Sequence, residues 1–593
     1  MHRSQLASPL SLLLICTALL LAGCDSAGSN GGDPPPSDPT DPAEELPGTI
    51  DGTIRSDSTL TADQDYVVSG LVSVEDGATL TIEPGADLRF EAGAGLLIGS
   101  NSVLSADGRA DAPIRMTATE GNEEAGWWAG IGIYSGNANN LLNHVEVRHG
   151  GGSVAGNSLE AANVIVGVDA ALTLTNSTIA ESAAYGLYLD KAEADLDAFS
   201  NNTFADNADA PVYIPFSEIG DLDSGSSFPS RATVRVRGTV LSADATVDSL
   251  QGDTPYRFTN GNAVIRDGAT LTVHPGVEMT FASGLGLVSN ATLSAEGTAA
   301  NPITMTATAG NEEAGWWAGI GIYSDNPNNR LDHVEVRHAG GTVVGDALEA
   351  ANVVVGVRAA LTLTNSTIAE SGAFGVYLDK ADAELDGFSD NSFSENADAP
   401  VYIPFDEIGD IDTGSTFADG TTVRVLGTGL SGGSVTVDPL RGDTPYRFTS
   451  TPAVNNSTEM TIEPGVEMTF ASDVGFQVQS TLSAEGTPAD PITMTATAGN
   501  AQRGWWRGIA FYSDNPNNLL ENVEVRHAGR GTLGVVPEAA NVAVAVDAAL
   551  QLSNSTVTES GRHGVFCDGN QALLTGSGNT IQSNDGQNVK GCS

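Results

Sequence analysis

The feature that most constrains this chain is a long internal repeat. Asn122–Ser135 reads NEEAGWWAGIGIYS, and the same letters return at Asn311–Ser324. A diverged version, NAQRGWWRGIAFYS, fills Asn500–Ser513. The block VEVRH begins at Val145, Val334 and Val523, which fixes the period at 189 residues. TLTNSTIAES from Thr173 has counterparts from Thr362 and, as QLSNSTVTES, from Gln551. A chain copied in this way calls for a body in which each unit packs on the next.

Within one copy runs a finer period. Inward pairs occur at Val145/Val147, Val164/Val166, Leu187/Leu189 and Val212/Ile214, their first members 19, 23 and 25 residues apart. Each pair alternates with polar residues and is bounded by Gly, Asn or Asp, which predicts short strands and no helix. Strands recurring about every 22 residues predict an all-β parallel β-helix, because one coil cannot bury its apolar face alone. The junction from Pro211 to Thr259 keeps the strand signals VYIP, VRVRG and YRFT and holds no Pro/Ser linker. One continuous solenoid is therefore expected, with repeats over 48–232, 233–421 and 422–593. At ~22 residues and ~4.8 Å per coil it would hold about 25 coils in a rod on the order of 120 Å.

The phrases LTIEPGADLRF (Leu80–Phe90), LSADGRADAPIRMTAT (Leu104–Thr119) and the W-x-G-I stretch resemble right-handed parallel β-helix bacterial lipoproteins of the pectin-lyase-like superfamily. The resemblance spans nearly all of Gly48–Ser593. It implies the fold and little about activity, since this superfold carries enzymes, adhesins and structural proteins alike.

The N-terminus supplies an address. His2 and Arg3 precede an apolar run, Leu10–Leu21, too short to span a bilayer comfortably. Leu21-Ala22-Gly23-Cys24 follows and resembles a bacterial lipobox, in which Cys24 is diacylated and becomes the new N-terminus. Residues 1–23 then read as a lipoprotein signal peptide. Residues 24–47, with Pro34, Pro35 and Pro36, read as an extended tether. The expected location is the cell envelope at the outer membrane, with the membrane as a partner through the lipid. Cys16 leaves with the signal, so Cys567 and Cys592 remain to bridge the C-terminal end in a compartment that permits disulfides.

Charge narrows the partners. There are 75 acidic and 25 basic residues, a formal net charge of −50, and the only lysines are Lys191, Lys380 and Lys590. Such a surface repels phosphate, which excludes nucleic acid. With 40% hydrophobic and 17% charged residues the chain is not a disordered polyacid. High acid with almost no lysine is the composition expected in strong salt, where the Debye length falls to about 3 Å near 1 M.

Three sets of residues carry candidate chemistry. The pairs Trp127/Trp128, Trp316/Trp317 and Trp505/Trp506 either cap the local core or offer one ring per repeat to a sugar face. Counting back from Ile131 and Ile133 turns Trp127 inward, but Arg507 replaces Ala129 at a nominally inward position. The strand then breaks near Gly130, and the phase stays open. In VEVRH the valines point inward, leaving Glu146, Arg148 and His149 for the surface. Arg337/His338 and Arg526/His527 are the counterparts. They are either solvated ion pairs or a site for a carboxylated glycan or for acid–base work. Asp221/Asp223 and Asp410/Asp412 resemble fragments of calcium loops without the full ligand spacing; calcium is the ion they would serve, and no cofactor is required.

The motif set of polygalacturonase-like hydrolases is not found. Arg148 precedes His149 where such enzymes carry G-H-G, and no R-x-K occurs. Lys191 and Lys380 are candidate bases for a lyase, but the third copy has Gly569 there. The sequence therefore points to a lipid-anchored rod with a binding, adhesive or structural role. Polysaccharide is the favoured ligand, with another envelope protein as the other partner class. A polysaccharide lyase or glycosidase is the alternative.

Overall fold

A computed structural model describes residues 44–593 apart from Pro47, Asn157, Ala192, Ala381, Asn456 and Ser593. The expected signal peptide, the expected lipidation site Cys24 and the expected tether up to residue 43 lie outside the described residues. Glu44–Ser593 is one compact unit. None of its described helices is long and apolar enough to cross a membrane.

The strands wind three to a coil, and every ladder between them is parallel. Thr79–Ile82, Asp87–Phe90 and Gly95–Ile98 make one coil. Val103–Asp107, Ile114–Ala118 and Gly130–Ile133 then pair back on them in that order. Alternation decides what is buried: Leu80 and Ile82 point in while Thr79 and Thr81 are half-buried outside. Identical positions stack coil on coil, and one hydrophobic core runs from Ile50 to Ala572. Each fully buried Val, Leu or Ile contributes roughly 1.5–3 kcal/mol. The chain is thus a parallel β-helix of continuous core, not three beads.

Coils are longer than the sequence period suggested. Ser105 pairs with Leu141, 36 residues on, and Leu141 with Thr173, 32 residues on. The excess is the loop carrying each tryptophan pair and the loop after each VEVRH. The 62 strands of the described residues accordingly make about 20 coils, not the 25 that a uniform period gives.

Sharp corners need the left-handed backbone. His144 and Asn176 each form a one- or two-residue corner between strands, with φ of 48° and 51°. Asn tolerates this region because its short side chain bonds locally. Asn176 Nδ2 donates to Asn143 Oδ1 on the coil before, and Asn365 repeats the bond to Asp332.

The repeat is not a whole number of coils. The sheet that carries Gly130–Ile133 in the first copy runs on to carry Val334–Arg337 in the second. The sheet that carries Gly319–Ile322 in the second copy carries Val523–Arg526 in the third. Equivalent strands therefore step by one face per repeat. With three faces, the three copies of any surface motif point to three different sides.

Candidate functional site

The end of each VEVRH strand folds inward. His149, His338 and His527 hold φ of 63°, 63° and 66°, which turns the imidazole off the strand and into a niche. His149 is 8% exposed, so the surface position expected for it is not the one it takes. Thr117 Oγ1 lies 2.8 Å from His149 Nδ1, and His149 Nε2 lies 2.7 Å from Glu181. The second and third copies repeat this: Thr306–His338–Glu370 at 2.8 and 2.5 Å, and Thr495–His527–Glu559 at 2.8 and 2.9 Å. Burial holds the His149 and His527 pKa values below normal, with the nearby carboxylates opposing it. The neutral ring accepts from the threonine at Nδ1 and donates to the carboxylate at Nε2.

Hydroxyl, imidazole and carboxylate in that order are the parts of an activated nucleophile. Their placement gives them another task. Thr117, His149 and Glu181 belong to three successive coils of one sheet, so the relay stitches the stack. Arg148 stays at the surface, 3.4 Å from Glu181 and 4.0 Å from Glu146. Arg337 pairs in the same way with Glu335 and Glu370, and Arg526 with Glu524.

The tryptophans resolve in the opposite phase to the simple count. Trp128, Trp317 and Trp506 are fully buried. Their rings stack at 3.9, 4.3 and 4.2 Å on Phe90, Phe281 and Phe470 inside the core. Each donates Nε1–H to the carbonyl of Arg148, Arg337 or Arg526 at 2.7 Å. These three rings cannot meet a sugar. Trp127, Trp316 and Trp505 are part-buried and packed against the same core, so an exposed aromatic ladder is not what the structure holds.

The family model described as pectate-lyase like beta helix domain matches residues 52–164 and 241–350. Those two segments are similar to that family, and the parallel β-helix they form is the fold that the family's description names. The matched segments are corresponding parts of the first and second copies. No curated protein matches the chain.

Elsewhere in the β-helix the aspartates of the calcium-like fragments part company. Asp223 accepts from the backbone N–H of Asn201, Gly225 and Ser226, at 3.1, 3.0 and 3.2 Å. Asp412 does the same for Asp390, Gly414 and Ser415. These carboxylates cap turns, and their lone pairs are spent there rather than on an ion. Asp221 instead joins Asp195 and Glu218, with ligand atoms of the three within 4.8 Å. Burial and the neighbouring Asp221 carboxylate push Glu218 up to about 8, and burial also raises Asp221. Glu218 keeps the proton it shares with Asp221, a bond that raises Glu218 and lowers Asp221, while burial and then Asp195 raise Asp221. Glu407, the counterpart of Glu218, is raised to about 7 by burial and accepts from the Leu385 N–H at 2.9 Å.

A disulfide joins Cys567 to Cys592 and fixes the last coil. Sequence reasoning missed a set of buried asparagines. Asn163 accepts from Gly150 N–H at 2.8 Å and donates to the Ala180 carbonyl at 2.7 Å, and Asn352 and Asn541 repeat the pattern. Their one signal is an Asn inside an otherwise apolar strand at the same place in each copy.

Proposed function

We propose that the protein is a lipid-anchored cell-envelope β-helix that binds polysaccharide on its surface and does not turn it over. The observation that carries this reading is the histidine relay. In each copy the imidazole that an acid–base mechanism would use lies in a niche between coils, its side chain only 10%, 11% or 13% exposed, where a polymer on the surface does not reach it. What the outer faces offer instead is charged side chains held on a rigid frame, which is the equipment of a binding surface. Cys24 after Leu21-Ala22-Gly23 supports the anchor. Two acyl signals hold a protein stably where one does not.

The stepping of faces changes how such a surface works. Patches one repeat apart do not share a line, so a stiff polymer lying along one side meets one VEVR patch rather than three. Avidity across repeats then requires a ligand that wraps, or several ligands.

A lyase or glycosidase reading has one observation in its favour: Glu218 holds a proton at neutral pH beside two other carboxyls, as a general acid must. Incubation with a panel of neutral and acidic polysaccharides, following retention and unsaturated-product absorbance together, separates the two. Retention without product is expected. Product that vanishes in Glu218→Gln would establish the enzyme instead.

A further inference from the structure

The third copy departs from the other two along one edge of the stack. The edge is the corner that follows Glu467–Phe470, Ile492–Ala496, Val523–Arg526, Thr556–Thr558 and Thr580–Gln582, five neighbouring strands of one sheet. At this corner Glu123, Glu124, Ala125, Ala129, Gly152 and Ala184 of the first copy become Ala501, Gln502, Arg503, Arg507, Arg530 and Arg562. The second copy keeps the first copy's residue types at all six positions. Two acids are lost and four arginines gained, in a chain of net charge −50.

The four arginines come from three successive coils. A Cβ built on Gly504 would lie 3.7 Å from the Arg530 Cα and 3.6 Å from the Gly561 Cα, so these coils touch along the edge. Arg507 and Arg530 share Asp473, at 3.0 and 3.6 Å. Arg503 pairs with Asp585, and Arg562 reaches Glu538 at 3.7 Å. Lys590, on the strand that the Cys567–Cys592 bridge holds down, binds Glu538 at 2.7 Å. Among the described residues these pairs set five cations against three carboxylates. The arginine side chains remain between 39% and 60% exposed.

We propose that this edge of the third repeat binds a carboxylated polysaccharide, laid along the helix axis with its carboxylates on Arg503, Arg507, Arg530 and Arg562. The inference rests on the polysaccharide-binding reading above and names its ligand class and place. Three features favour it. The arginines already hold carboxylates, and their planar forks match that group in a way lysine does not. Exposed ion pairs of this kind contribute little, so a ligand carboxylate exchanges for Asp473 or Asp585 at small cost. The cations recur once per coil, about 4.8 Å apart, which suits a polymer whose charges recur along its length. Repulsion from the acidic remainder is screened beyond about 10 Å at 0.1 M salt, so contact is confined to this edge.

The test compares retention of the full chain on polygalacturonate with that of a quadruple variant, Arg503→Ala, Arg507→Ala, Arg530→Gly and Arg562→Ala. It restores the residue types of the first two copies. A drop in affinity of at least about tenfold is expected, equivalent to the loss of one good charge-assisted pair. A second variant with all four changed to Lys keeps the charge and should bind between the two. A control that removes Arg109, Arg231, Arg266 and Arg441 takes away equal charge elsewhere and should bind as the parent does. Equal retention of the parent and the quadruple variant would leave polysaccharide binding standing and overturn this edge as its site. Polyphosphate held as tightly as polygalacturonate would overturn the carboxylate assignment. Retention of no polysaccharide at all would overturn the reading on which both rest.

Discussion

Gly130 holds φ at 110°, and a Cβ there would sit 2.2 Å from the Ala162 carbonyl oxygen. That one residue accounts for the tryptophan phase. An alternating count assumes an unbroken strand, and the kink at Gly130 shifts it by one, which sends Trp128 inward. The inward Arg507 that blocked the count is also explained: its side chain leaves the core to meet Asp473. The buried histidines have a similar cause, since a left-handed residue at a strand end leaves the in–out alternation on which the sequence reading depended. Glu218 provides the test at this scale. Its folded pKa lies above the unfolded value of about 4.3, so the folded state binds more protons between that value and about 8. Stability from this group is therefore full at acid pH and lost as pH rises through that window. Glu218→Gln should melt roughly 1–2 °C above the parent at pH 8 and alongside it near pH 4, read by thermal unfolding.

At the scale of the element, the strands themselves were legible: the paired valines at VEVRH point inward as their alternation implied. Coil length was not, because loops that leave the stack, such as the one carrying Trp127, add residues without adding strands. The relay between coils was also hidden. Thr117, His149 and Glu181 are 32 residues apart in turn, and only stacking makes them neighbours. Thr306→Val removes the hydroxyl that His338 accepts from, leaving a buried acceptor unpaired at a cost of about 1–3 kcal/mol. Stability in a solenoid is held locally. Hydrogen exchange should then accelerate around Ile303–Ala307 and Val334–Arg337 while the first and third copies keep their protection. Uniform acceleration along the chain would mean the coils unfold as one and the relay has no local role.

For the whole molecule, the repeat period announced three similar units but was silent on their orientation, which depends on how many strands fill one turn. The structure sets each copy one face on from the last, so duplication spread its surfaces around the body rather than along one side. Around an ordinary apolar core lies the surface of a chain whose net charge is −50. Lateral repulsion along the stack should ease as the Debye length contracts from about 10 Å at 0.1 M to about 3 Å at 1 M salt. The melting temperature is expected to rise over that range, and one that does not move would remove strong salt as the working environment.

The central claim, binding without turnover, is tested most directly by the polymer itself. The full chain is mixed with polygalacturonate of known length, the complex is isolated by size exclusion, and the polymer is sized again after prolonged incubation. Co-elution with the length distribution unchanged is the predicted result. Polymer shortened in proportion to time and protein would contradict it.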